Sequence, residues 1–273
     1  PEGGGTYTIA TTTKADSPFK FSTSLANAQW TTMKLLFSKK NNNDGEAKVY
    51  DEGTWIAGSG VATILSYTDA TETNFDQYIW AFVGDWYNGY KVYSYTDTDQ
   101  NKKLAYTGNF TTNYDSNRTI TLSDDATLAD NLCTWIVVDW TGTNGAEYSE
   151  PTYSLRLNNS ARPNYYAGDH ISSRVLGTWE STTGNQVNHG RIAFADPAPI
   201  YQPFAQSILD NQGVGYPAAD SDVRTALSTA ISGAATFNEL KSKVDAFMNE
   251  SAQIELPTDG KAYRIKAKYL TGD

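Results

Sequence analysis

The chain has 273 residues, carries a net charge of -10, and is 19% charged and 13% aromatic, with Tyr 18 and Trp 7 supplying most of the aromatic excess. That length is one large or two medium domains. The acidic balance argues against nucleic acid and against an anionic membrane surface, because both need a basic face.

In chain order, the Pro1-Glu-Gly-Gly-Gly start reads as the middle of a linker, so the chain reads as an excised piece. Residues 6 to about 196 then read as β. Predicted strands fall at 6–10, 29–38, 55–57, 62–67, 78–83, 90–95, 103–106, 118–122, 134–139, 153–157, 174–179 and 191–195. They are short and are separated by Gly, Asn, Asp and Thr clusters, as in a barrel or sandwich. No helical periodicity is visible there. The polar stretches 39–45 and 141–150 read as loops. Cys133 is the single cysteine, so no internal disulfide forms. Its apolar setting beside Trp135 reads as a buried, inert thiol.

The pattern changes at Pro197-Ala-Pro199. Phe204, Ile208 and Leu209 share one helical face, and Gly213 and Gly215 stop that helix. Val223, Leu227, Ala230 and Ile231 repeat at helical spacing and end at Gly233. Thr236-Phe-Asn-Glu239 fits a capping box ahead of the stripe Leu240, Val244, Phe247 and Met248. Residues 261–269 alternate polar and apolar positions like a half-buried strand. The expected organisation is therefore a β domain over 1–197, a helical spacer over 198–253, and the truncated start of a further β module over 254–273. No apolar run approaches the ~18 residues of a membrane span.

Two segments look like copies of one unit. Tyr78-Ile-Trp-Ala-Phe-Val-Gly-Asp-Trp-Tyr-Asn-Gly-Tyr-Lys-Val-Tyr-Ser94 and Leu132-Cys-Thr-Trp-Ile-Val-Val-Asp-Trp140 followed by Tyr153–Leu157 each read as a strand with a buried Trp, a turn, and an alternating strand. Such repetition points to an all-β fold built from internal repeats, with Trp80 and Trp135 at matching core positions.

The pattern Trp80-x-Phe82, Gly84, Asn88-Gly-Tyr-Lys-Val-Tyr93 and Lys103-Leu104 resembles the repeat of ricin-type β-trefoil lectins. It is similar, more narrowly, to lectin-like modules in secreted multidomain proteins of gut Bacteroidetes, including glycoside hydrolases such as sialidases. Val214-Gly-Tyr-Pro217 and Leu256-Pro-Thr-Asp-Gly-Lys-Ala-Tyr-Arg-Ile265 are similar to the helical spacer and next-module start there. The resemblance implies a mainly β, β-trefoil-like domain with a small three-helix segment; a β-sandwich is the alternative. It implies a carbohydrate-binding accessory module, secreted or at the cell surface, with glycans and neighbouring domains of the same polypeptide as partners. The alternative function is a spacer module that docks protein and binds no sugar.

Catalytic chemistry has no visible signature. His170 and His189 sit in polar contexts, and no His-x-x-x-His, Cys pair or glycine-rich phosphate loop occurs. No catalytic, metal-binding or cofactor-binding residue is assigned, and the chain is expected to be non-catalytic. Sugar binding needs an aromatic face for the apolar side of a pyranose and Asp or Asn oxygens and amides for its hydroxyls. Asp85, Trp86, Tyr87 and Asn88 offer both in one hairpin turn. Tyr165, Tyr166 and Asp169 form a second candidate loop with Asn164. The plainer reading of Trp86 and Tyr87 is that they cover a barrel end.

Overall fold

The computed structural model describes residues 22–39, 47–48, 53–57, 62–66, 74–85, 87–95, 101–107, 120–139, 153–169, 176–180, 191–213 and 215–253. The predicted strand at 6–10 and the further β module at 254–273 lie outside them. The chain divides into two compact units, and the main division falls between Ala195 and Asp196; Phe75 is grouped with the helical unit.

The first unit is mainly antiparallel β-sheet. Among the described residues its strands are β1 Trp30–Lys39, β2 Ala47–Lys48, β3 Gly53–Ala57, β4 Ala62–Ser66, β5 Trp80–Asp85, β6 Gly89–Ser94, β7 Lys103–Tyr106, β8 Ile120–Ser123, β9 Trp135–Asp139, β10 Tyr153–Leu157, β11 Tyr165–Asp169, β12 Leu176–Glu180 and β13 Arg191–Ala195. One short helix, α1 Asp130–Cys133, precedes β9. The mainly β expectation holds. Two expectations within it are corrected. The stretch around Tyr165, Tyr166 and Asp169 is a strand and not a loop, and a helical turn interrupts a region read as free of helix. Tyr165 faces in, Tyr166 is half-buried and Ala167 faces in again, a period of two hidden by the absence of a polar residue between the two tyrosines.

The pairing closes on itself. β1 pairs with β5, β5 with β6, β6 with β9, β9 with β10, β10 with β13, and β13 with β1. A closed ring leaves these six strands no free edge. Three hairpins stand off the ring: β3–β4, β7–β8 and β11–β12. Their outer strands β4, β8 and β12 approach one another.

Registers recur around the ring. Thr31 pairs with Trp80, Tyr90 with Trp135, and Tyr153 with Ile192. Three residues further on (31 to 34, 90 to 93, 153 to 156), Lys34 pairs with Thr54, Tyr93 with Lys103, and Arg156 with Tyr166. Trp80 and Trp135 thus hold corresponding places, each the first residue of its strand and each fully buried. Their neighbours Phe82, Tyr90, Val92, Leu155 and Phe194 fill the same core. Edge-on aromatic contacts order it, with Phe82 5.1 Å from Phe194 and Tyr106 6.0 Å from Tyr165 between ring centroids.

The second unit is helical: α2 Ala198–Leu209, α3 Asp222–Ser232 and α4 Phe237–Gln253. The apolar stripes face inward, with Tyr201, Ala205, Ile208, Leu227, Leu240, Val244 and Phe247 buried. Starts are capped by side chains, since the first helical N–H groups have no partner within the helix. Ser221 Oγ accepts the Arg224 amide at 3.3 Å. The capping box forms as read. Glu239 Oε2 accepts the Thr236 N–H at 2.9 Å, and Thr236 Oγ1 accepts the Glu239 N–H at 3.4 Å. Asp196 Oδ1 accepts from both Ala198 N at 2.8 Å and Phe237 N at 3.3 Å, tying the starts of α2 and α4 to one carboxylate. Gln202 Nε2 donates to the Ile231 carbonyl at 2.7 Å, joining α2 to α3.

Candidate functional site

The turn between β5 and β6 is built around Asp85. Its Oδ1 accepts the backbone N–H groups of Tyr87 at 2.9 Å and Asn88 at 2.8 Å, and its Oδ2 accepts Asn88 Nδ2 at 2.8 Å. An Asp at this position replaces the backbone acceptors that a tight turn leaves out of reach. The chain then re-enters β6 through Gly89, whose φ is +89°. A Cβ there would stand 2.8 Å from Thr134 Cγ2 and 2.9 Å from the Trp135 carbonyl oxygen, so the position admits only glycine without strain. A second brace comes from outside the turn: Asn158 Nδ2 donates to the Asn88 carbonyl at 2.8 Å. The result is a turn fixed at its base and from one side.

Tyr87 projects from this frame. At 59% exposed, it is the one large hydrophobic side chain left exposed among the described residues. Trp86 lies outside the described residues. The polar groups read from sequence as sugar ligands are committed differently: Asp85 and Asn88 bond to each other and to the turn. Their first role is bracing, which corrects the expectation that they are free for hydroxyls.

The electrostatics follow. The hydrogen bond from the Asn88 amide, then that from the Asn88 N–H, hold the Asp85 carboxyl below its ordinary value. Burial, and then the nearby Asp85 charge, push the Tyr90 phenol well above its ordinary value. A carboxyl depressed in the folded state favours the braced turn above its unfolded pKa. That contribution is lost as pH falls through the folded pKa. We therefore expect the Tyr87 and Asn88 amides to gain hydrogen exchange as pH falls below the ordinary carboxylate range. The Asp85→Ala variant should exchange fast throughout and show no such step. Amide exchange by NMR, corrected for the intrinsic pH dependence, reads both.

The second candidate cluster is not assembled as expected. Tyr165 is 1% exposed and packs in the core, with the Arg162 guanidinium 5.6 Å from its ring centroid. It cannot stack on a ligand, which corrects its assignment. Tyr166 points the other way and is half-buried. Asp169 ends β11. Tyr87 and Tyr165 therefore do not share an exposed face. His170 and His189 lie outside the described residues.

Other reactive groups are structurally occupied. Cys133 is fully buried, its thiol pushed up by burial and its Sγ 3.6 Å from the Ala129 carbonyl. Lys91 and Asp130 form an ion pair at 2.8 Å, each strengthening the other's charged form. Asp130 is largely exposed, so the pair adds little to stability. Among the described residues no three His, Cys, Asp or Glu side chains stand together as ligands for one metal ion. No helix among them is long and apolar enough to cross a membrane.

Sequence reasoning missed the Asn158 brace and the outward pair Arg156–Tyr166. Asn158 sits in a polar stretch with no local signal. The pairing of Arg156 with Tyr166 exists only once the register of β10 and β11 is known.

No protein-family model matches the chain, and no curated protein matches it. Solved structures do resemble it. An arabinofuranosidase complexed with arabinofuranosyl-α-1,2-xylobiose matches at TM-score 0.40 and 13% identity, over 66% of this chain and 32% of that one. A GH54 α-L-arabinofuranosidase soaked with 4-nitrophenyl α-L-arabinofuranoside matches at TM-score 0.39 and 13% identity, over 63% and 31%. The same class of enzyme soaked with a cyclic sulfate inhibitor matches at TM-score 0.39 and 12% identity, again over 63% and 31%. The chain thus spans about a third of the length of those proteins. The expectation that it is non-catalytic does not stand against these matches, which are all enzymes. At this degree of likeness they assign no activity to the chain and no role to any of its residues.

Proposed function

We propose that the β unit is a lectin-like, carbohydrate-binding β-trefoil domain of a larger secreted or cell-surface protein. The six-strand ring, the three hairpins beside it and the registers that recur three times support the trefoil reading. The observation that carries the binding reading is Tyr87, an exposed ring on a turn already fixed by Asp85 and Asn158. A rigid aromatic offers apolar area to a sugar face at little entropic cost. One such contact binds weakly, and neighbouring modules would raise the avidity. The rival reading, a spacer that docks other domains, draws on the same exposed ring.

A glycan array on the chain, followed by calorimetry on any hit, separates the two. Tyr87→Ala should weaken binding by about tenfold, as loss of a central aromatic contact does. Unchanged affinity would remove this turn from the site. An array without hits would leave the spacer reading.

A further inference from the structure

Two separate demands of the β5–β6 turn set a reactive pair of residues side by side. Asn88 is exposed, and its side-chain Nδ2 donates to Asp85 Oδ2 at 2.8 Å. A carboxylate or an apolar side chain could not donate there, so the brace calls for an amide at this position. The next residue has to be glycine. Its φ is +89°, and a Cβ would stand 2.8 Å from Thr134 Cγ2 and 2.9 Å from the Trp135 carbonyl oxygen. The turn therefore joins Asn88 to Gly89. A glycine has no side chain to shield its own nitrogen, so an asparagine before it can close onto the main chain.

In the closed turn Asn88 is tied down along its length. Its Nδ2 is held by Asp85 Oδ2, its N–H by Asp85 Oδ1 at 2.8 Å, and its carbonyl by Asn158 Nδ2 at 2.8 Å. The bonds to Asp85 use a charged acceptor and are the stronger kind. Gly89 is buried and paired with Asp85 across β5 and β6. Ring closure has to bring Asn88 Cγ onto the Gly89 nitrogen and expel the Nδ2 that Asp85 holds. The reaction therefore draws on the opened turn, and its rate follows the fraction open.

We infer that Asn88 is a site of spontaneous deamidation, and that the Asp85 brace sets its rate. The Gly89 nitrogen gives its proton to hydroxide and attacks Asn88 Cγ. The N–Cγ bond forms, the Cγ–Nδ2 bond breaks, and Nδ2 leaves as ammonia after taking a proton from water. A second water opens the resulting cyclic imide. Opening at Cγ leaves an aspartate. Opening at the main-chain carbonyl leaves an isoaspartate, with one extra carbon in the backbone. Neither product rebuilds the turn. An aspartate sets a second carboxylate against Asp85 where a donor had been, and the like charges repel. An isoaspartate displaces the carbonyl that Asn158 holds. Conversion thus releases the turn that carries Tyr87, and it runs one way because the ammonia is lost to solvent. None of these steps depends on the carbohydrate-binding reading.

The test ages the whole folded chain at mildly alkaline pH and reads residue 88 by peptide mass mapping with enzymatic detection of isoaspartate. Asn144-Gly145, the other such pair in the sequence, is followed in the same sample. Wild type should convert at Asn88 to a mixture of aspartate and isoaspartate. Asp85→Ala should convert there about tenfold faster, as loss of charge-assisted hydrogen bonds supplies. Asn158→Ala removes the side brace without touching the reacting atoms and should also speed conversion at Asn88, by less. It carries the same test should Asp85→Ala fail to fold. Both variants should leave the rate at Asn144 unchanged. Asn88→Asp should show the Tyr87 amide exchanging as fast as it does in Asp85→Ala. An Asn88 that stays intact in wild type overturns the inference, whatever happens at Asn144. A rate at Asn88 that neither variant raises overturns the gate, and slow Tyr87 exchange in Asn88→Asp overturns the loss of the brace.

Discussion

Replacing Arg224 by Ala should unfold the helical unit or lower its melting temperature by more than about 10 °C. Arg224 is 9% exposed, and its guanidinium is spent on backbone carbonyls. Nη1 donates to the Leu209 oxygen at 2.6 Å, Nη2 to the Asn211 oxygen at 2.6 Å and to the Pro217 oxygen at 2.9 Å, and Nε to the Pro217 oxygen at 3.1 Å. Leu209 ends α2, where helix carbonyls lack partners and the dipole favours a cation. The same guanidinium lies 5.0 Å from the Phe247 ring centroid. One side chain on α3 thus closes the end of α2, holds the connection to α3 and packs on α4. Truncation leaves three carbonyls short of a donor, a loss of about 3–5 kcal/mol by analogy with other buried charged networks. For a unit of this size each kcal/mol is worth roughly 4–8 °C. Arg224→Lys should recover only part of this, because an ammonium cannot span the three carbonyls that the planar fork reaches. Thermal melts by circular dichroism at helical wavelengths give the answer. A melt within a few degrees of wild type for Arg224→Ala would refute the network's importance.

Trp135→Ala should be the most damaging single change in the β unit. The side chain is fully buried, and its indole Nε1 donates to the Leu104 carbonyl at 3.2 Å, linking β9 to β7. Emptying such a site costs about 3–5 kcal/mol in lost transfer and cavity energy. The stranded Leu104 carbonyl adds about 1–3 kcal/mol. Trp135→Phe keeps most of the apolar volume and loses the hydrogen bond, so it should fall well between wild type and Ala. The order wild type, Phe, Ala in urea midpoint is the expected outcome at unchanged slope. Equal midpoints for Phe and wild type would show that the indole N–H contributes nothing.

The sequence alone determined the class of each half. Short alternating runs between turn residues made residues 6 to about 196 read as a β unit, because a strand half-buried on one face must alternate. The runs 103–106, 153–157 and 191–195 match the observed strands β7, β10 and β13. Helical spacing after Pro197 gave three helices, and Thr236-Phe-Asn-Glu239 gave a cap, because capping is a local interaction four residues long. The turn chemistry of Asp85 to Gly89 was legible for the same reason, although its polar groups were read as ligands when they are braces.

Only the tertiary structure decided which side chains are available. Tyr165 and Tyr166 are adjacent and chemically identical, yet one is core and the other faces outward; the register of β11 against β10 and β12 makes the choice. Arg156 is set beside Tyr166 only by that register. Arg224 stands out only once the end of α2 and the connection after it supply the carbonyls that take its donors. Asn158 braces a turn 70 residues away. In each case the determining contact joins segments distant in sequence. Local propensity and periodicity carry no information about such pairings, which arise only when the ring closes and the helices pack.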